Sequence, residues 1–200
     1  MRLFWLPLLA LGLAGTAQAA PDFVAEIPFD LCKGMICIQA ELDDGKTSTL
    51  LLDTGDASNF ISVEAAQAHG WALKPYMGKD GKPVEGLFDA GTHEVKLGAL
   101  SAPMRYLASP AADMGTQGTY DGNLVYSYFK DRVLQIDYPK KLLRVSAPLT
   151  AAPTQAGAAG QLKIVNFHNW GPPIVVGGPF TINGKPVDAQ IDTGYTGSML

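Results

Sequence analysis

The tripeptide Asp-Thr-Gly occurs twice, as Asp53-Thr54-Gly55 and Asp192-Thr193-Gly194, each directly after an apolar residue, Leu52 or Ile191. A shift of 139 positions superimposes the two, and the same shift lays Asp44-Gly45-Lys46 on Asn183-Gly184-Lys185 without a gap. One unit, a hairpin turn followed by a strand ending in Asp-Thr-Gly, is therefore used twice. An Asp at the end of an apolar strand has a fixed carboxylate, Gly lets the neighbouring backbone come close, and Thr offers a hydroxyl to a facing loop. Two such loops related by a pseudo-two-fold would bring two carboxylates together. Like charges at that range cannot both ionise easily, so the pair shares a proton. The ionised member then takes a proton from a bound water and the protonated one donates to a peptide carbonyl oxygen. That is acid-base hydrolysis with no covalent intermediate.

The elements that must carry these loops read as β. Asp44-Gly45, Asp80-Gly81 and Asn183-Gly184 are hairpin signals, since such pairs supply positive φ. Strands are expected over 36–42, 48–52, 94–97, 132–138 and 142–145. Helix is expected only as short pieces: one capped by Ser62 and ended by Gly70, and a turn over 126–130. The fold class is all-β with short helices.

The chain has 200 residues, a net charge of -4 and 47% hydrophobic residues. A core can be built, and the acidic balance argues against a nucleic-acid partner. Two cysteines and three scattered histidines offer no metal-site spacing, and no cofactor or metal is implied. His69, His93 and His168 read as surface or hydrogen-bonded residues, Trp71 and Trp170 as packing, and Asp43-Asp44 as turn chemistry. No Ser-His-Asp order stands out.

Residues 1–19 read as a signal peptide: Arg2, an apolar run from Leu3 to Leu13, and Ala17-Gln18-Ala19 before a mature start at Ala20. The run is short for a membrane span. The protein is expected to be exported, periplasmic or secreted, with no membrane association after cleavage. In such a compartment Cys32 and Cys37 either form a disulfide across a turn begun at Lys33-Gly34 or remain two small buried thiols. Residues 147–160, rich in Ala, Pro and Gly, read as a linker between a first lobe (20–146) and a second piece (161–200).

Taken together these residues resemble the aspartic peptidase superfamily, specifically the bacterial secreted retropepsin-like and two-lobed pepsin-like proteins. Leu50-Leu51-Leu52-Asp53-Thr54-Gly55 is similar to the catalytic loop of that family and Asn59-Phe60-Ile61-Ser62 to the strand after it. Asp121 to Tyr126 resembles the segment that passes beneath the loop, and Val133 to Pro139 its continuation. The resemblance implies a retropepsin-like closed barrel, followed by an incomplete second repeat. It places a substrate-covering flap over Tyr76 to Gly91, with Tyr76 as the flap candidate. It implies an aspartic-type endopeptidase acting on a peptide or protein substrate, with catalytic Asp53 and Asp192 and with Thr54, Gly55, Thr193 and Gly194 shaping their loops.

Three departures stand out: Asp56 where Ala or Ser is usual, Val125 where Gly is usual, and few residues after Asp192. Asp56 is expected either to raise the dyad's pKa values or to face solvent, and Val125 to crowd the floor of the site. The short remainder reads as a fragment or truncated product. Two alternatives follow: a homodimer pairing Asp53 from each chain, and a non-catalytic peptide-binding module on the same fold.

Overall fold

The computed structural model describes residues 22–114, 118–149, 163–165 and 175–196. The segment expected to be a signal peptide and most of the expected linker lie outside them. In chain order the strands are β1 (Phe23–Cys32), β2 (Met35–Leu42), β3 (Thr47–Asp53), β4 (Asn59–Ser62), β5 (Lys74–Met77), β6 (Pro83–Leu97), β7 (Leu100–Ser109), β8 (Gly122–Val125), β9 (Leu134–Asp137), β10 (Leu142–Ser146), β11 (Lys163–Val165), β12 (Val175–Ile182) and β13 (Lys185–Gln190). Between them lie helix α1 (Val63–Ala68) and a 3-10 turn, Tyr126–Phe129. The molecule is mostly β, as its sequence leads one to expect.

The first ten strands form one sheet in the order β5-β6-β7-β4-β8-β3-β2-β1-β10-β9, and a further pairing of β6 with β2 closes it. The ring β6-β7-β4-β8-β3-β2 is completed through Glu41 opposite Lys96 and Leu42 opposite Val95. Ring closure leaves no free edge on these six strands. Their alternate side chains fill the interior: Ile36, Ile38, Leu50, Leu52, Tyr106 and Leu124 are all fully buried.

Turn chemistry sets the register. Asn183 (φ 52) and Gly184 (φ 77) both take positive φ in the β12-β13 hairpin, as a two-residue turn of this type requires. Ser62 caps α1 by accepting from the Ala65 N–H at 3.1 Å. Cys32 and Cys37 are joined as a disulfide with Cα atoms 5.8 Å apart. They do not face each other, however: Cys32 pairs with Met35 and Cys37 with Asp30, so the bridge runs diagonally across the β1-β2 hairpin. The start of the expected linker is tied back to the residues around the sheet, since Ala147 N–H donates to Asp22 O at 2.8 Å and Leu149 N–H to Asp131 O at 2.7 Å.

Two parallel pairings carry the site. Strand β3 lies parallel to β8 with Asp53 opposite Val125, and β4 lies parallel to β7. Gly122 opens β8 where that strand crosses β4. A methyl there would stand 2.9 Å from Ile61 Cα and collide with the Phe60 carbonyl oxygen, so only glycine lets β8 pass under β4. Val125 is fully buried among the core residues, not crowding the cleft beside Asp53. Its N–H donates to Asn59 Oδ1 at 3.0 Å.

Candidate functional site

The two Asp-Thr-Gly loops interlock. Thr54 N–H donates to Thr193 Oγ1 at 3.2 Å, and Thr193 N–H donates to Thr54 Oγ1 at 3.1 Å. Each hydroxyl in turn donates across the interface, Thr54 Oγ1 to Ile191 O and Thr193 Oγ1 to Leu52 O, both at 2.6 Å. The pattern is its own image under the 139-residue shift, including the strand residues Leu52 and Ile191 that accept the hydroxyls. Both threonines are buried, so each polar group that leaves water finds a partner. Gln190 adds a bond from its side-chain amide to Gly55 O at 3.0 Å.

This interlock puts each glycine against the opposite carboxylate. A methyl on Gly194 would lie 2.5 Å from both Cγ and Oδ2 of Asp53, and a methyl on Gly55 would overlap the Asp192 carboxyl group. Each Asp also accepts from the glycine of its own loop: Gly55 N–H to Asp53 Oδ1 at 2.9 Å, and Gly194 N–H to Asp192 Oδ1 at 2.8 Å. Asp53 Oδ1 accepts from the Asp56 N–H as well, at 3.0 Å, and Asp53 is half-buried while Asp192 is exposed, so the pair is matched in its glycine contacts and unequal in solvation. Burial first, then the charges of Asp192 and Asp56, push the Asp53 carboxyl up to about 6 against the pull of the Gly55 and Asp56 N–H groups.

Asp56 lies in the same loop and lines the same cleft as Asp53. Its Oδ1 accepts from Ala57 N–H at 2.6 Å and its Oδ2 from Asn123 Nδ2 at 3.3 Å. Of the two roles open to it from sequence, the structure gives it the one that raises Asp53. Asn59 and Asn123, both buried, brace the floor from below. Asn123 Oδ1 accepts from Phe60 N–H, and Asn59 Nδ2 donates to Arg105 O at 3.0 Å. Sequence reading missed both amides as site residues. The signal was there only as one Asn within each of the segments 59–62 and 121–126, with no spacing to connect them.

A cleft of about 360 Å³ opens over Asp53 and Gly194. From the expected flap hairpin, β5-β6, it is Leu87 that reaches this cleft. Tyr76 lines a separate hollow of about 480 Å³ with Ser58, Met104 and Arg105. The flap candidate is thus on the expected hairpin, away from the Asp53 cleft.

A second polar chain exists elsewhere. Ser48 Oγ lies 2.8 Å from His69 Nε2, and His69 Nδ1 lies 2.9 Å from Asp44 Oδ1, the connectivity of a nucleophilic triad. Ser48 is only 2% exposed, so no substrate reaches its hydroxyl. The chain is structural. Beside it Asp43 receives Trp71 Nε1–H at 3.1 Å and pairs with His93, whose ring stacks on Trp71 at 3.5 Å. Asp43 and Asp44 therefore do more than make a turn: they tie the β2-β3 hairpin to the segment after α1.

No protein-family profile and no curated protein matches the sequence. Among solved structures the chain is similar to a retropepsin-like aspartic protease from Rickettsia conorii, at 20% identity and a TM-score of 0.42, over 60% of this chain and 87% of that one. It is also similar to the retroviral protease-like domain of Ddi1 from Leishmania major, at 14% identity and a TM-score of 0.40, over 56% of this chain and 92% of that one.

Proposed function

We propose that this chain is an exported aspartic-type endopeptidase whose dyad, Asp53 and Asp192, comes from a single polypeptide. The observation that carries the reading is the reciprocal Thr54–Thr193 interlock, which seats each loop's glycine on the other loop's carboxylate. Asp53, raised by burial, holds the shared proton and gives it to the peptide carbonyl oxygen. Asp192 takes a proton from the water that attacks the carbonyl carbon. The tetrahedral intermediate then collapses as Asp192 passes the proton it took to the nitrogen, Asp53 recovers one from the diol oxygen, and the C–N bond breaks. A second chain would need the place that the Asp192 loop already fills, which favours the single-chain dyad over an Asp53 homodimer. The disulfide between Cys32 and Cys37 fits an oxidising compartment.

The test is cleavage of an unfolded protein substrate between pH 3 and pH 8, followed as specific activity against enzyme concentration. Concentration-independent specific activity supports the single-chain reading, and specific activity that rises with concentration returns the homodimer. Peptide binding without cleavage returns the non-catalytic module.

Three further outcomes are expected. Because Asp53 titrates at about 6, kcat/KM should fall above that pH as the shared proton is lost. Asp56→Asn removes one of the charges that raise Asp53 while keeping an oxygen for the Ala57 N–H. The alkaline limb should then move to lower pH by about half a unit; a limb that stays put would show that Asp56 does not act on the dyad. Gly194→Ala drives a methyl into the Asp53 carboxylate and should lower kcat/KM by about 10²-fold or more, since misplacement of about 1 Å costs that much. A steady-state assay with a circular dichroism control for folding checks it.

A further inference from the structure

We infer that Asp113 makes the cleft select a substrate with a cationic side chain, Lys or Arg, beside the reacting bond. The inference rests on the peptidase reading for the identity of the ligand, a peptide. It rests on the cleft itself for the charge. The walls are of two kinds. Leu51, Phe60, Leu87 and Met114 are apolar and suit the methylene stem of a long side chain. Among the described residues Asp53, Asp56 and Asp113 are the only ionisable side chains of the lining besides Tyr120, and no Lys or Arg joins them.

The three carboxylates are not equivalent. Asp53 is held by the Gly55 and Asp56 N–H groups and is used in the chemistry. Both oxygens of Asp56 are engaged by the Ala57 and Ser58 N–H groups and by Asn123. Among the described residues nothing donates a hydrogen bond to the Asp113 carboxylate. Its backbone is fixed all the same. Asp113 N–H donates to Pro110 O at 2.9 Å and Met114 N–H to the same oxygen at 3.2 Å, while Ala111 N–H is tied to Glu64 of α1 at 3.2 Å.

The facing strand leaves this carboxylate uncovered. Asp113 Oδ2 comes close to Gly86 of β6, where a methyl would touch it at 3.6 Å, so glycine puts no side chain over the oxygen. The next residue, Leu87, forms the wall. An exposed carboxylate at the mouth of an apolar slot, opposite a glycine, accepts a charged tip whose stem is buried. A neutral or acidic side chain gains nothing from it, or is repelled.

The experiment uses the whole chain and two peptide series. One series is cleavable. The other carries a neutral hydroxyethylene group in place of the scissile bond. In each, Lys is exchanged for norleucine, its uncharged near-isostere, at every position flanking that bond. At one position Lys should be favoured over norleucine by about two- to fivefold, the range for a charge pair at an exposed site. The ratio should approach one in Asp113→Asn and at high salt, and Asp113→Lys should favour Glu over Lys at that position.

A wild-type ratio near one at all positions, or a Lys preference that survives Asp113→Asn, overturns the inference while cleavage leaves the peptidase reading intact. Asp113-dependent binding of the Lys hydroxyethylene peptide without cleavage of either series supports the inference and removes the peptidase reading. Failure of a folded wild-type chain to bind any of these peptides overturns both.

Discussion

Asp53→Asn is expected to abolish cleavage and, at neutral pH, to stabilise the fold. Asn keeps an oxygen for the Gly55 and Asp56 N–H groups that Asp53 Oδ1 now accepts, so the loop is retained. What it loses is the proton that the mechanism transfers, and general acid-base catalysis of this kind is worth about 10²–10⁴-fold on each group. The stability change has a defined sign. The folded carboxyl is pushed up to about 6 from its ordinary value of 3.8, so the native state binds the proton more tightly than the unfolded chain. Stability attributable to Asp53 is therefore complete below about pH 4 and is lost as pH rises towards 6. The shift is worth at most about 3 kcal/mol, and about 2 kcal/mol after discounting for the remaining solvent contact. Urea melts of Asp53→Asn and wild type should coincide at pH 3.5 and separate by about 2 kcal/mol at pH 7.5. Melts separated equally at both pH values would mean that Asp53 carries no desolvated charge in the native state.

That penalty is the cost of a site built where two loops meet, and the sequence carried much of the plan. Both Asp-Thr-Gly loops were legible because the signal is local and doubled: a turn pair, an apolar strand and three residues, repeated at a fixed shift. The β2-β3, β5-β6 and β12-β13 hairpins followed from turn chemistry at Asp44-Gly45, Asp80-Gly81 and Asn183-Gly184. The short helix followed from Ser62. Strand β7 was not expected, although its burial alternates along most of its length, because Pro103 and Arg105 break the apolar pattern on the face turned to solvent.

The rest of the site was hidden for a different reason. Asn59 and Asn123 act through bonds that span more than 40 residues of sequence. A buried amide has no periodicity of its own, and its partner is a backbone group that every residue possesses. Gly122 was quoted within a segment, but its role depends on how near Phe60 and Ile61 come to it, which is a property of the sheet crossing. Val125, standing where the resembled family usually has Gly, is expected from sequence to crowd the site, and it does lie opposite Asp53 in register. Strand geometry answers this: in a parallel pair the side chain leaves the sheet on one face, and here that face is the core. Asp113 belongs to a turn with no motif and enters the cleft only through folding.

Asp192→Asn provides the sharper test of how the dyad is assembled. In a single-chain dyad the loss of cleavage should match that of Asp53→Asn, at about 10²–10⁴-fold. The double variant should be little worse than either, because residues acting as a unit are not additive. A homodimer through Asp53 would leave Asp192→Asn fully active. The two single variants should differ in stability even though they agree in activity. Asp192 is exposed, and Asn can still accept the Gly194 N–H at the position of Oδ1. No buried charge is removed directly, so at pH 7.5 the change should stay within about 0.5 kcal/mol, apart from the repulsion that Asp53 no longer feels. Equal loss of activity with unequal gain in stability would show a dyad that acts as one unit and is asymmetric in its water. In such a pair the more buried member keeps the proton, and the more exposed one faces the attacking water. Equal gains in stability would instead mean that both carboxylates are desolvated alike, and would leave the assignment of acid and base between them without its physical basis.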